Sequence, residues 1–371
     1  MRFAVDGRYI QDHFPGIGRY TYNLVRALAD ELHDDELRLL VNLRLPNTRY
    51  DLSALGALGR VALSECDVST FSLREQTALP RLVRRMGADL LHSTYYVKPY
   101  WLPVPSVLTY YDVIGLLFRD ALPSAWARLA FRLGSRLALA SADRVILLSE
   151  SARRDVIRHF RVPASKTTVI YPGPDPQFVP QSSEEVACVR VRHGLPERYA
   201  LYLGINKPHK NLPFLVDAWA QAKPDASLVL AGREDPRYPE ARERVRSLGL
   251  EGRAVFLGDV PENDLPALYS GAALFVLPSL YEGFGLPALE AMACGSPVLS
   301  SNAASLPEIA GDAGVLLPPD DVAAWADALA ELLGHPAKLE EMRARSLARA
   351  AQFSWARAAR ETLAIYQEVA A

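Results

Sequence analysis

Cysteine is scarce in this chain of 371 residues: Cys66, Cys188 and Cys294 are the only three, and they lie far apart. This spacing excludes a disulfide framework and a zinc site built from paired thiolates, and it fits a reducing, cytoplasmic compartment. No apolar run approaches the ~18 residues of a membrane span, and the opening "MRFAVDGRYI" lacks the apolar stretch of a secretory leader. A membrane is therefore expected to be met only from its surface. Neither an Asp-x-Asp pair nor a His/carboxylate cluster with metal-ligand spacing is present, so no metal site and no resident cofactor are expected. Charge of one sign is lacking too: 41 Lys+Arg against 43 Asp+Glu leave a formal charge of -2, which gives no reason to expect a nucleic-acid partner.

What is present reads as a soluble α/β protein. Short continuous apolar runs ("RFAV", "LRLLV", "DLLHS", "SVLTY", "RVILLS", then "YALYLG", "SLVLAG", "ALFVLPS", "PVLS", "GVLLP") alternate with helical patterns. Such runs between amphipathic helices predict parallel sheets covered on both faces. At about 100 to 200 residues per domain the length suits two domains. The proline-rich stretch over 173–185 is the expected linker, placing one domain at 1–172 and another at 186–352. Two doubly wound domains facing across a cleft would bind ligand beyond the carboxyl ends of their strands. The last segment, 353–371, has Phe353, Trp355, Ala358, Leu363 and Tyr366 spaced along one helical face that needs a surface to pack on.

Three glycine-bearing turns carry candidate chemistry. In "PGIGRYT", Gly16 and Gly18 resemble the start of a dinucleotide fingerprint, but Thr21 takes the third glycine position, and Asn42 and Arg44 stand where a ribose-binding acid is expected. The stretch reads as a permissive loop at a helix N-terminus, or simply as a tight turn. In "YLGINKPHKNL" a strand ends at Gly204 and a helix begins near Asn211, with Lys207, His209 and Lys210 between them, a placement that suits a phosphate. In "YEGFGLPALEAMACG", Gly283 and Gly285 permit a turn into a helix that Pro287 opens and Gly295 ends. Backbone N–H groups of Phe284, Gly285 and Leu286 would there face an anion. Glu282 and Glu290, eight positions apart, suit vicinal hydroxyls on either side of it. Taken singly, Glu282 reads equally as a first-turn acid and Glu290 as a surface residue; the whole constellation describes a nucleotide sugar.

These residues resemble a known family. "PSLYEGFGLPALEAMACGSPVL" with "SLPEIAGDAGVLLPPDD" is similar to the E-x7-E region of family 4 retaining glycosyltransferases, and the likeness runs through "PGIGRYTYNLVRAL", "SADRVILLSESARRDV" and "FSWARAARETLAIYQ". The resemblance implies the GT-B fold, with the closing helix crossing back onto the N-terminal, acceptor-side domain. It further implies that Glu290 holds the nucleotide ribose, that Glu282 lies by the donor sugar hydroxyls, and that Lys210 neutralises the diphosphate. The amides of Gly283, Phe284, Gly285 and Leu286 would bind phosphate and sugar, and Gly16 and Gly18 would let the first domain approach donor and acceptor. Two positions depart from the pattern. Ile205 follows Gly204 where the family often has arginine, leaving Lys207 as its substitute, and Tyr111-Asp112 stands where the family often has His-Asp. Tyrosine can donate a hydrogen bond but cannot become a cation.

The implied reaction moves a hexose from a nucleotide-diphosphate sugar to a saccharide or lipid-linked saccharide, with retention and without metal. The wording "GINKPHKN" and "HSTYYVKPYWLP" is most similar to bacterial mannosyl- or rhamnosyltransferases of surface polysaccharides, which favours GDP-mannose and leaves UDP-sugars open. An epimerase of the same fold, or a non-catalytic nucleotide-sugar-binding protein, are the alternatives. Residues 71–170 hold 15 Lys+Arg against 7 Asp+Glu. Within 124–141, Arg128, Arg132 and Arg136 run beside a stripe of Trp126, Leu129, Leu133 and Leu137, a pattern that serves either as a sheet cover with the stripe inward or as a contact with an anionic membrane at its inner face.

Overall fold

The computed structural model describes residues 1–371, apart from the side chain of Asp120. Two compact units are present: residues 1–173 with 353–371, and residues 174–352.

The first unit runs β1 (Arg2–Asp6), α1 (Pro15–Glu31), β2 (Glu36–Val41), α2 (Leu52–Gly56), β3 (Val61–Glu65), α3 (Glu75–Arg85), β4 (Leu90–Ser93), β5 (Ser106–Tyr110), α4 (Ile114–Leu117), α5 (Ala125–Ser141), β6 (Arg144–Leu147), α6 (Glu150–Phe160) and β7 (Thr167–Val169). Its seven parallel strands lie in the order β3-β2-β1-β4-β5-β6-β7. The order reverses between β1 and β4, which marks the crevice position of such a sheet. Ser124 and Ser149 cap α5 and α6 by accepting from the backbone N–H of Ala127 and Ala152.

The second unit runs α7 (Ser183–His193), β8 (Tyr199–Leu203), α8 (Leu212–Ala222), β9 (Ser227–Ala231), α9 (Glu240–Ser247), β10 (Ala254–Gly258), α10 (Leu265–Ser270), β11 (Leu274–Leu277), α11 (Leu286–Ala293), β12 (Val298–Ser301), α12 (Leu306–Ala310), β13 (Val315–Leu317), α13 (Val322–Gly334) and α14 (Pro336–Ala350). Its six parallel strands follow the order β10-β9-β8-β11-β12-β13, reversing between β8 and β11. Residues 183–185, read from sequence as the end of the linker, already form the first turn of α7. Ser182 and Glu185 close a reciprocal capping box that starts the helix there.

The closing helix α15 (Trp355–Ala370) belongs to the first unit and packs along α1. Its buried face carries Trp355, Leu363, Ile365 and Tyr366. Tyr366 lies beside the Phe3 ring and its hydroxyl is 2.5 Å from His92 Nδ1. A side chain of this size contributes about 1.5–3 kcal/mol when fully buried, so a few such residues tie the C-terminus to the unit that begins the chain. Burial alone pushes the His92 imidazole down to about 3, so it is neutral in this core. No helix among the described residues is long and apolar enough to cross a membrane.

Two sequence expectations are corrected. Gly16 and Gly18 do not form a loop ahead of a helix: both lie in the first turn of α1, which begins at Pro15 because the fixed φ of proline suits the first helical position. Gly16 is exposed, whereas a Cβ on Gly18 would come within 3.1 Å of the Tyr9 carbonyl and 3.2 Å of the Tyr50 ring, so close packing favours glycine at position 18. The apolar stripe of α5 does not face the sheet. Trp126, Leu129, Leu133 and Leu137 are exposed, while Ser135, Ala138 and Leu139 are buried.

Candidate functional site

The second unit concentrates its polar chemistry where its strand order reverses. After β8 the chain passes Gly204, Ile205 and Lys207 and makes a tight turn over Pro208–Lys210. After β11 it passes Ser279 and Glu282 to the turn that opens α11. The two loops are tied together: Leu280 N–H donates to the His209 carbonyl at 2.8 Å, and the Asn211 side-chain amide donates to the carbonyls of Pro278 (3.3 Å) and Pro319 (2.8 Å). Asn211 takes a left-handed backbone (φ 60°) to make that reach.

Across this junction Lys210 Nζ lies 2.7 Å from Glu282 Oε1, and Ser279 Oγ donates to the same oxygen at 2.7 Å. Burial alone would raise the Glu282 carboxyl. The nearby charge of Lys210 and the hydrogen bonds from Lys210 and Ser279 outweigh burial and hold it below the ordinary carboxylate range. Burial first, and then Lys210, push the His209 imidazole down to about 4, so His209 is neutral. The junction thus holds one ammonium and one carboxylate at neutral pH, in contact and largely shielded from water.

The turn after Glu282 is clamped from behind. Ser305 Oγ lies 2.9 Å from the Glu282 carbonyl and 2.6 Å from that of Phe284. Gly285 has φ 109°, which disfavours any residue with a side chain, and a Cβ there would come 2.8 Å from Leu306 Cδ2. Pro287 has no N–H, and the N–H groups of Ala288 and Leu289 bond the Gly285 carbonyl. The N–H groups of Ala288 and Leu289 are therefore already spent within the start of the helix. Glu290 is not a surface residue: it is 1% exposed, and Tyr269 Oη on α10 donates to its Oε2 at 3.0 Å.

In the first unit Tyr111 and Asp112 follow the carboxyl end of β5. The Tyr111 hydroxyl donates to the Thr94 carbonyl at 3.0 Å, and burial raises its phenol well above the ordinary value. Its hydroxyl proton is thus engaged by a backbone carbonyl. Asp112 accepts from Tyr96 Oη at 2.8 Å and from the Ile114 N–H at 2.9 Å, so its carboxylate is oriented from both sides.

Sequence reasoning overlooked the buried ion cluster at the carboxyl end of β1. The Arg8 guanidinium donates to Asp6 (2.8 and 2.6 Å), Glu75 (2.6 Å) and the Val68 carbonyl (2.9 Å), with both side chains of each ion pair almost fully buried. Burial works against the Arg8 cation, but Asp6 and Glu75 more than compensate. Glu75 Oε2 in turn accepts the Phe71 N–H at 3.2 Å, and Phe71, 57% exposed, holds φ 64°. The Phe71 ring joins Phe14, Tyr95 and Tyr9, with Tyr9 stacked on Tyr95 at 4.3 Å. An aromatic surface over a buried charged support thus stands at the β1/β4 reversal. The sequence signal was slight: a charged "DGR" after an apolar strand, with Glu75 67 residues beyond Arg8.

Comparison with known proteins agrees with this geometry. The family described as "Glycosyl transferases group 1" matches residues 197–335, and "Glycosyltransferase Family 4" matches residues 15–178. The O-antigen chain mannosyltransferase B of Escherichia coli is 32% identical over 374 residues, covering 95% of this chain and 96% of that protein. The chain belongs to the glycosyltransferases. The serotype-specific mannosyltransferase WbdA of Escherichia coli is 27% identical over 96% of this glycosyltransferase, which spans 46% of WbdA. Among solved structures, sucrose-phosphate synthase from Thermosynechococcus elongatus superimposes with a TM-score of 0.79 at 25% identity, covering 99% of this chain and 98% of that one. Anabaena HepE in complex with UDP and glucose gives 0.79 at 21% identity, covering 99% and 100%. The fold is GT-B, and the mannosyltransferase relatives disfavour the epimerase and binding-module alternatives. Among the described residues no group of three or more His, Cys, Asp or Glu side chains is placed to hold a metal ion.

Proposed function

We propose that this glycosyltransferase moves mannose from GDP-mannose to a saccharide or lipid-linked saccharide on the cytoplasmic side, with retention of configuration and without a metal. The contact between Lys210 and Glu282 at the β8/β11 reversal carries the reading. An ammonium has three N–H groups. One is spent on Glu282, which fixes its direction, and two remain for oxygens of the donor diphosphate. The turn amides up to Leu286 supply further fixed dipoles, so charge leaving with the diphosphate meets preorganised donors. Glu290 takes the ribose hydroxyls, with Tyr269 orienting its carboxylate. The ionised Glu282 accepts from hydroxyls of the donor sugar.

In this reaction the bond from the sugar's anomeric carbon to the phosphate oxygen breaks as the bond to the acceptor oxygen forms on the vacated face. The acceptor proton passes to the departing phosphate oxygen. Asp112, oriented by Tyr96 and the Ile114 N–H, accepts from an acceptor hydroxyl, and the aromatic surface of Phe71, Phe14 and Tyr95 receives an acceptor ring. Identity to a mannosyltransferase over 95% of the chain supports mannose as the donor sugar. The test is transfer from GDP-mannose, UDP-glucose and UDP-galactose to a mannoside acceptor in EDTA, with the anomeric configuration of the product read by NMR. Transfer from GDP-mannose giving the donor's configuration is expected. A UDP-sugar preference, an inverted product or strict dependence on added metal would overturn the corresponding part.

A further inference from the structure

The loop between β3 and α3 is held at two points by the buried ion cluster. Arg8 donates to the Val68 carbonyl at 2.9 Å. Glu75, the first residue of α3, takes Arg8 on one oxygen at 2.6 Å and the Phe71 N–H on the other at 3.2 Å. Between those points Phe71 keeps φ 64°, an uncommon state for a bulky residue, and its ring stays 57% exposed. Strain of this kind persists only where the surroundings over-determine it, and it concentrates at ligand clamps. The hold gains little burial for the Phe71 ring; what it fixes is the place of that ring on the surface.

The rings continue towards Asp112. Tyr95 lies 5.3 Å from Phe71 and 5.4 Å from Phe14, Tyr96 lies 4.9 Å from Tyr95, and the Tyr96 hydroxyl donates to Asp112 at 2.8 Å. Phe71 and Asp112 thus stand at opposite ends of one aromatic row. The two rings between them are each about as wide as a pyranose, so one sugar cannot both bond Asp112 and cover Phe71. His13 is exposed and stands edge-on to Phe14 at 4.6 Å, which gives the Phe71 end a polar rim.

We infer that this row makes two acceptor subsites, so that the acceptor recognised is a saccharide of at least two sugars. The sugar bearing the attacked hydroxyl sits at Asp112, and the preceding sugar stacks on Phe71. A pyranose carries C–H groups on its face, which suit the negative face of an aromatic ring, and hydroxyls at its edge, which suit the rim. Glu75 acts through Phe71 as a positioning residue. The inference rests on the transfer to a saccharide proposed above and adds acceptor length as the property read.

The test is ligand-observed NMR titration of the full chain in the presence of GDP, with methyl α-mannoside, octyl α-mannoside and α-linked methyl mannobiosides of each linkage. At least one mannobioside should bind about tenfold or more tightly than methyl mannoside, and Phe71→Ala, which alters an exposed side chain, should remove that gain. In transfer assays Glu75→Ala should raise KM for that mannobioside with kcat held. Glu75→Gln, which keeps an oxygen for the Phe71 N–H, should recover most of the loss, and Glu75→Ala should add nothing further in a Phe71→Ala protein. Equal affinity for one and two sugars, a gain that survives Phe71→Ala, or no binding of any of these saccharides would overturn the inference. So would octyl mannoside binding more tightly than every mannobioside, since the row would then hold the lipid part of the acceptor. Binding is read without turnover, so a length preference that persists where GDP-mannose transfers nothing would count against the donor assignment alone.

Discussion

Replacing Lys210 with methionine removes the cation but keeps the stem. It leaves the Glu282 carboxylate, 9% exposed at its side chain, with Ser279 as its remaining bonded partner on Oε1. Breaking a buried pair from one side costs about 3–5 kcal/mol, and the partial exposure of Lys210 (14%) points to about 3 kcal/mol. For a unit of this size, that lowers the melting temperature of the 174–352 transition by about 6–12 °C. The sign of the pH dependence follows from the depressed carboxyl. In the natural protein the stabilisation is full above the ordinary carboxylate value and is lost as pH falls through the lower folded value. Without Lys210, burial dominates and raises the carboxyl, so acidification protonates it and relieves the penalty. The two proteins should therefore converge in stability as pH falls from neutral towards ~4, and Glu282→Gln combined with Lys210→Met should cost less than the sum of the singles. Calorimetric scans over pH measure all three variants. A Lys210→Met protein that melts with the natural one at neutral pH, with additive singles, would refute the reasoning.

Glu290→Ala should weaken nucleotide binding and, by removing the acceptor of the buried Tyr269–Glu290 bond, cost about 1–3 kcal/mol in denaturant unfolding, a loss that Glu290→Gln largely restores. Gly285→Ala must hold φ 109° with a Cβ 2.8 Å from Leu306, and is expected to lose about 1–3 kcal/mol and most transfer activity; an active, equally stable variant would show that the turn can relax. Arg8→Met leaves Asp6 and Glu75 buried without their cation, and should destabilise the first unit by about 3–5 kcal/mol, read by its own melting transition.

The architecture was largely legible because interior parallel strands must be apolar along their whole length. β1, β2, β4, β5 and β6 in one unit and β8, β9, β11 and β12 in the other all announce themselves as continuous runs. The strands that reading passed over, β3, β7 and β10, are all sheet edges. "VALSE" and "TTV" are only partly buried and mix in polar residues, whereas "AVFLG" does hold an apolar run that was passed over, and the edge strand β13 was read from its own run, "GVLLP". Two glycines near a strand end likewise suggest a loop, and only Pro15 hints that α1 has already begun. Both halves of the candidate donor site were visible as loops rich in glycine, lysine and glutamate. What could not be read was that Lys210 and Glu282, 72 residues apart, bond to each other, because the β8/β11 adjacency that joins them is a property of the sheet. Arg8 and Glu75 were hidden for the same reason, and the outward aim of the α5 stripe depended on which face the sheet takes.

The central claim is that Lys210, Glu282 and Glu290 form a metal-independent site for a guanosine diphosphate sugar. Calorimetric titration of GDP and UDP in EDTA tests it most directly, on the natural protein and on Lys210→Met. Ligand at 100 times its dissociation constant stabilises the native state by about 2.7 kcal/mol, so melting of the same samples gives a second readout. The account predicts GDP binding without metal, weaker binding of UDP, and a loss of GDP affinity of at least about tenfold in Lys210→Met. Binding that requires added metal, or GDP affinity that survives the loss of Lys210 unchanged, would contradict it.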